Sequence, residues 1–249
     1  MDEERQDLIE GRNAVIEALR AGRTIDKIYI ARGETDKALG HIAGKAREAG
    51  IAVTDCDRRK LDAMSVTKAH QGVIAVCAVR AYCSIDDILA IAEARGEPPF
   101  IVVCDEISDP HNLGAIIRSA ECAGVHGVVI PKRRSAGLTA IVGKTSAGAV
   151  EHMAVARVTN LAAALDELKE KGLWVYGTAA RGSSTLWTTD FDGPVCLVIG
   201  SEGEGLGRLI AEKCDFLVSI PMRGKVSSLN ASAAAAVVMY EVMRHRQQA

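Results

Sequence analysis

The chain has 249 residues, 48% of them hydrophobic and 25% charged, with 30 Lys and Arg against 32 Asp and Glu for a net charge of −2. This is the make-up of an ordinary globular protein of one large or two modest domains. It argues against a protein that coats nucleic acid by bulk charge, and no apolar run approaches the roughly 20 residues of a membrane span. Seven cysteines without a Cys-x-x-Cys pair favour reduced thiols over disulfides or a zinc site. The acidic start MDEERQD does not read as a signal peptide. A cytoplasmic protein with no metal and no membrane contact is expected.

In chain order, residues 1–80 alternate helix and strand. GRNAVIEALRA (11–21) is helical, with Val15, Ile16 and Leu19 on one face, and DKIYIA (26–31) alternates like a strand. Residues 36–50 read as a helix stopped by Gly50, 51–54 as a strand, 58–64 as a short helix and 72–79 as a strand. His70 and Gln71 stand just before Gly72, where a turn-stabilising role and an RNA contact are equally open. Arg58, Arg59 and Lys60, with Arg12 and Arg23, are candidates for phosphate contacts, against the plainer reading of a solvated helix face. Lys and Arg outnumber Asp and Glu only 14 to 13 in residues 1–80, and the count is 15 to 15 in 98–249. A nucleic-acid partner would therefore be held by local clusters. Residues 81–98 carry a short helix (85–94) and end in Pro98–Pro99, an extended spacer that sets a domain boundary.

From residue 99 the pattern changes to near-continuous apolar strands separated by helices. FIVVCD, GVVI, VARV, LWVYGTAA, CLVIG and FLVSIP are strands; NLGAIIRSAECAG, LTAIVGKTSAGA and LAAALDELKEKG are helices. Such strands imply a parallel sheet buried on both faces. After FLVSIP comes a polar loop, and Ser227 or Ser228 can cap a final helix whose first turns are nearly all Ala and Ser. Tight helix packing and close approach of a flat ligand both fit so small a face.

Two apparent nucleotide motifs fail. VGKT (142–145) lacks the required glycine at 138, which is Leu. EGEGLG (202–207) lacks the last glycine of the dinucleotide form and has too little chain behind it for a Rossmann sheet. Its glycines still leave the backbone open to close approach by a ligand. In DEISDPHNLGAIIRSA (105–120), Asn112 and Arg118 are six residues apart across a helix start, so both can face one cleft near the helix N-terminus. Alternatively Asn112 caps the helix and Arg118 pairs with Glu121 or Asp105. Lys132, Arg133 and Arg134 follow a strand and stand beside an α/β ligand crevice.

In order and spacing, DEISDPHNLGAIIRSA, LVIGSEGEGLG and IPMRGKVSSLN resemble the three motifs of the SpoU/TrmH branch of SPOUT RNA 2′-O-ribose methyltransferases. The resemblance implies a knotted α/β methyltransferase domain (99–249), with a deep trefoil knot, behind a small ribosomal-protein-like RNA-binding domain (1–80) and a linker (81–98). It implies S-adenosyl-L-methionine bound by loops carrying Thr178, Ala179, Gly200, Gly203, Ile220, Met222 and Leu229. Arg118, Asn112, Glu202, Ser228 and Asn230 would form the catalytic set. A guanidinium is essentially never neutral, so Arg118 is expected to bind phosphate and orient the 2′-hydroxyl. Glu202, Ser228 through a relay, water or a phosphate remain open as proton acceptor. A homodimer is implied, with Arg118 serving a cofactor bound mainly by the partner. The stretch IPKRRSAGLTAIVGKTSAGAVEH resembles bacterial enzymes that modify a guanosine of 23S ribosomal RNA. Transfer RNA as substrate, or an idle RNA-binding factor, are the alternatives.

Overall fold

Strand pairing divides the protein into two sheets, one in each of two compact units. The computed structural model describes residues 8–33, 36–180, 182–203 and 205–247. The MDEERQD start and Glu204 of the glycine-rich motif lie outside the described residues. Among the described residues no helix is long and apolar enough to cross a membrane.

The first unit runs β1 (Leu8–Glu10), α1 (Arg12–Arg20), β2 (Ile25–Ala31), α2 (Lys37–Glu48), β3 (Ala52–Cys56), α3 (Arg58–Met64) and β4 (Val73–Cys77). Its sheet order is β1-β4-β2-β3, with β4 antiparallel to β1 and β2, and β2 parallel to β3. Val15, Ile28, Ile42 and Val73 are fully buried in one cluster, so the apolar stripes of α1 and α2 close on alternate residues of the sheet. Residues 137–141 group with this unit, and Val79 N–H donates to Leu138 O at 2.7 Å. β1 is too short to stand out in the sequence.

The second unit contains α4 (Ile85–Arg95), β5 (Phe100–Cys104), α5 (Pro110–Cys122), β6 (Gly127–Pro131), α6 (Ala140–Thr145), β7 (Ala154–Val158), α7 (Leu161–Glu170), β8 (Trp174–Thr178), β9 (Ser184–Thr185), β10 (Val195–Ile199), α8 (Arg208–Lys213), β11 (Phe216–Ser219) and α9 (Ala231–Arg246). The sheet order is β7-β6-β5-β10-β8-β11-β9 and every pairing is parallel. Ile101, Val103, Val129, Val175, Cys196 and Val198 face a core closed by α4, α7 and α8. The residues that alternate with them are also buried, and α5 and α9 pack on each other and on the sheet. This is the doubly covered parallel sheet that the apolar strands imply.

Three expectations change. Residues 81–98 are no spacer: Ile85 and Ile88 of α4 lie in the core beside Ile101, behind a Ser84–Asp87 capping box. The helix expected over LTAIVGKTSAGA stops at Thr145, and Gly148 in a left-handed turn leads to a 3-10 turn at Ala149–Glu151. Asn230, rather than Ser227 or Ser228, caps α9, because its side chain accepts from Ser232 N and Ala233 N. The two serines lie in an exposed loop before it.

Candidate active site

All seven strands of the second sheet point the same way, so the loops after β5, β8, β10 and β11 emerge at one edge, where parallel sheets bind ligands. After β10 the chain turns back on itself: Ser201 and Gly205 exchange backbone hydrogen bonds at 3.0 and 3.1 Å. The reversal needs glycine twice. Gly205 has φ +71°, and a Cβ on Gly200 would run into the backbone of Gly205 and Leu206. Asp105, buried at the end of β5, fastens the far end of this loop, its Oδ2 accepting from Gly207 N at 2.8 Å. After β8, Thr178 Oγ1 donates to Val198 O at 3.1 Å and Ala179 N to Val218 O at 3.0 Å.

The loops after β8, β10 and β11 enclose a cavity of about 320 Å³. Thr178, Ala179, Gly200, Gly203, Ile220, Met222 and Leu229 all line it, and so do Glu202 and Ser228. Ile199, Ser201, Leu206 and Ser227, which lie within the motif stretches but were not named as cofactor or catalytic residues, also take part. The wall is mostly bare backbone and short or apolar side chains, suited to a flat ring that exchanges hydrogen bonds with main-chain groups.

At the rim, three motifs meet. Glu202 Oε1 accepts from Asn112 Nδ2 at 2.9 Å, from Ala231 N at 3.3 Å and from Asn230 Nδ2. Asn230 Nδ2 also donates to Asn112 Oδ1 at 2.9 Å, while its Oδ1 accepts from Ser232 N, Ser232 Oγ and Ala233 N. One asparagine thus caps α9 and closes the network. Asn112 is free to join because Asp109 caps α5, accepting from His111 N at 2.9 Å, with Pro110 in the first turn. The reading of Asn112 as a helix cap is set aside.

Arg118 stands apart from this network. It is exposed, it does not line the cavity, and among the described residues it makes no hydrogen bond or ion pair. Six residues along an α-helix leave two side chains about 120° apart around the axis, so Asn112 and Arg118 do not share one face as expected. Neither Glu121 nor Asp105 holds it. Lys132, Arg133 and Arg134 follow β6 at the same sheet edge as the cavity loops. Arg134 pairs with Glu106 at 2.8 Å, both in left-handed conformation at φ 56°. The VGKT stretch packs rather than binds phosphate: a Cβ on Gly114 of α5 would collide with Thr145.

In the first unit, Arg12 is committed to structure, pairing with Asp36 at 2.5 Å and donating from Nε to Gln71 O at 2.9 Å. Arg58 and Arg59 are exposed on the first turn of α3, and Lys60 stacks over Tyr29 with its Nζ 4.8 Å from the ring centre. Arg23 precedes β2 and so lies at the opposite end of the sheet from the α3 arginines, which follow β3, the parallel neighbour of β2. His70 is a buried turn residue, accepting Gly72 N at 3.1 Å through Nδ1 and pairing with Asp62 through Nε2 at 2.9 Å. Asp190, Asp192 and His245 are a set of side chains near enough to share an ion, but they are exposed or partly exposed and far from any predicted role.

The fold and the site define a class: a two-unit α/β protein with a cavity lined by the loops after β8, β10 and β11 at one edge of a parallel sheet, and three motifs joined at its rim. Residues 99–240 match the SpoU rRNA Methylase family and residues 8–83 match the RNA 2′-O ribose methyltransferase substrate binding family. The chain belongs to the SpoU/TrmH family of RNA 2′-O-ribose methyltransferases. It is 49% identical over 243 residues to YacO of Bacillus subtilis (strain 168), whose name places it among TrmH family tRNA/rRNA methyltransferases; the match spans 98% of this chain and 97% of YacO. A similarly named protein of Staphylococcus haemolyticus is 45% identical, over 97% of this chain and 96% of its own. Among solved structures, the SpoU methyltransferase AviRb from Streptomyces viridochromogenes in complex with AdoMet aligns at TM-score 0.62 and 26% identity, covering 97% of this chain and 91% of AviRb. The AdoMet-bound rRNA methyltransferase from Sinorhizobium meliloti aligns at TM-score 0.60 and 26% identity, over 98% and 89%.

Proposed function

We propose that this protein methylates the ribose 2′-hydroxyl of a guanosine in bacterial 23S ribosomal RNA, working as a cytoplasmic homodimer. The observation that carries the reading is the meeting of three sequence-distant loops around one cavity, with Asn112, Glu202 and Asn230 joined at its rim. The residues present suit S-adenosylmethionine: the glycines and short side chains of the cavity wall leave main-chain groups open to an adenine edge. Thr178, Ala179, Gly200, Gly203, Ile220, Met222 and Leu229 would hold it. When bound, it supplies an electrophilic methyl group on a sulfonium sulfur. The trefoil knot of the family would be threaded by these same loops.

The chain's own part is binding, orientation and proton handling. Glu202 Oε1 already accepts three donors, so Glu202 is read as an organiser that holds Asn112 and Asn230 against the start of α9. Ser228, on the cavity wall, would steady the ribose. Arg118, exposed and without a partner among the described residues, is available to bind an RNA phosphate and draw the 2′-hydroxyl into line. Its position outside the cavity of its own chain supports the dimeric reading, in which it serves the site of the partner. Oε2 of Glu202, Ser228 through a relay, water or the neighbouring phosphate would take the 2′-hydroxyl proton. Lys132, Arg133, Arg58 and Arg59 would add phosphate contacts.

The choice of ribosomal over transfer RNA rests on the stretch 130–152. Methyl transfer from a labelled donor, with protein-free 23S ribosomal RNA and bulk transfer RNA as competing acceptors, tests it. Label in ribosomal RNA alone is the expected result, and label in transfer RNA alone refutes the choice.

A further inference from the structure

Both tryptophans of the chain, two of its three phenylalanines and one of its four tyrosines gather at one end of the second sheet. Trp174 and Tyr176 alternate on β8 with the core residue Val175, so they share the other face of the sheet. Phe216 of β11 stands in register with Tyr176. The rings form a ladder: Phe191 lies 4.9 Å from Tyr176, Tyr176 5.0 Å from Phe216, and Phe216 5.8 Å from Trp174.

The ladder is covered at its inner end, where Phe191 and Tyr176 are buried and His245 of α9 stands edge-on to Phe191 at 5.7 Å. β9 pairs with Val218 and Ser219 and stops short of Phe216. Phe216 is left 40% exposed and Trp174 52%, on a sheet whose strands are otherwise covered on both faces. They floor a groove of about 410 Å³ whose wall carries Asp190 and Asp192. A second hollow of about 500 Å³ continues past the same two carboxylates to Trp187, which is also exposed. β8 and β11 start at this end of the sheet, opposite the cavity loops.

The charge of the groove selects what fits it. Asp190 and Asp192 are exposed, and among the described residues neither pairs with a Lys or Arg; His245 Nδ1 stands 3.9 Å from Asp190. Arg244 at the far end is held by Glu241 at 2.7 Å, and Asp215 beside Phe216 is held by Lys169 at 2.6 Å. The field is negative at the ladder. The Tyr176 hydroxyl, which donates to Asp190 O at 3.0 Å, has its pKa raised by burial and then by the charges of Asp190, Asp215 and Asp192. Such a groove repels phosphate, and a two-fold copy of it would set acid against acid. A metal ion would leave the aromatic floor unused. A guanidinium suits both parts, since it stacks on an aromatic face and pairs with carboxylates through its forked N–H groups.

We propose that this groove docks an extended, arginine-bearing segment of another protein. One guanidinium stacks on Trp174 and pairs with Asp190 or Asp192, and the segment runs on toward Trp187. The inference goes beyond methyl transfer and does not depend on the RNA substrate.

The test is fluorescence anisotropy of a labelled Arg-Gly-Ser repeat peptide of about nine residues, titrated with the full chain, with tryptophan emission as a second reporter. Saturable binding with a shift in that emission is expected, and no binding below about 1 mM overturns the proposal. Asp190→Asn with Asp192→Asn is expected to weaken binding at least about tenfold, and Trp174→Ala about two- to fivefold. Glu93→Gln on α4 with Glu212→Gln on α8 removes the same charge from the other face of the sheet and is expected to stay within about twofold. No loss in the Asp190/Asp192 variant, or an equal loss in the Glu93/Glu212 variant, overturns the groove as the site. Replacing every Arg of the peptide by Lys is expected to cost about threefold, because an ammonium does not stack flat; equal affinity overturns the stacking on Trp174. Two outcomes overturn the choice of occupant. A uridine oligonucleotide that binds the protein and loses affinity in Trp174→Ala makes the groove an RNA site. A concentration-dependent sedimentation coefficient that Trp174→Ala abolishes makes a second copy the occupant. The Asp190/Asp192 variant decides the matter should Trp174→Ala fail to fold, and ordinary S-adenosylmethionine affinity, expected in every variant, separates loss of the groove from loss of the cavity.

Discussion

Asn112 and Glu202 are 90 residues apart in the chain, and their side chains meet at 2.9 Å. The bond ties the first turn of α5 to the glycine-rich loop after β10, and Asn230 joins both to the start of α9. Removing the carboxylate frees both amides, and because the site is open, water replaces it at little cost to folding. Glu202→Ala is expected to lower the methyl-transfer rate by about tenfold or more, as misplaced groups at a reacting centre do. Asn230→Ala differs, because it also removes a cap. It is expected to cost about 1 kcal/mol, a fall in melting temperature of roughly 2–4 °C for a chain of this size. Rate assays with thermal denaturation of both variants check the contrast; equal stability losses contradict it.

Gly200→Ala puts a methyl group into the backbone of Gly205 and Leu206. Backbone on both sides leaves no flexible side chain to give way. The variant is expected to lose S-adenosylmethionine binding in calorimetry while its first unit stays folded. Ordinary affinity in this variant means that the reversal at Ser201–Gly205 does not shape the cavity.

His126 is buried, accepts Phe100 N at 2.9 Å through Nδ1 and faces Glu97 through Nε2 at 3.0 Å. Burial pushes its pKa down, the charges of Arg95 and Arg246 push the same way, and the Glu97 hydrogen bond works against them. With the folded pKa below the unfolded one, near 6.5, its contribution is complete above that value and is lost as pH falls through the depressed folded value. Urea unfolding from pH 7.5 down to 5 is expected to show falling stability, and His126→Gln is expected to flatten that fall. A parallel pH dependence in the variant contradicts the assignment.

Much of the fold was legible because its strands are apolar on both faces. FIVVC, GVVIP and VCLVI admit no partly exposed sheet, and the parallel order follows from the helices between them. The motif loops were legible through Gly200, Gly203 and the Ala-rich start of α9, where Ala231 and Ala234 line the cavity while Ala235 packs inside. What local pattern could not carry was partnership. Asp105 reads as one more acid after a strand, yet it fastens Gly207, 102 residues away. Arg12 reads like Arg59, but Asp36 and Gln71 claim it. Arg23 was grouped with Arg58 by charge, whereas strand direction puts it at the other end of the sheet. Pro98 and Pro99 suggested a spacer, although Ile85 and Ile88 before them complete a core whose other members lie far along the chain.

The sharpest measurement is on Arg118→Ala, with S-adenosylmethionine binding followed by calorimetry and transfer of a tritiated methyl group into 23S ribosomal RNA followed by counting. Because Arg118 has no partner among the described residues and does not line the cavity, the expected result is unchanged melting, near-ordinary cofactor affinity and no transfer. Full transfer by this variant contradicts the account, since an arginine outside the cavity would then have no part in bringing the ribose to the methyl group.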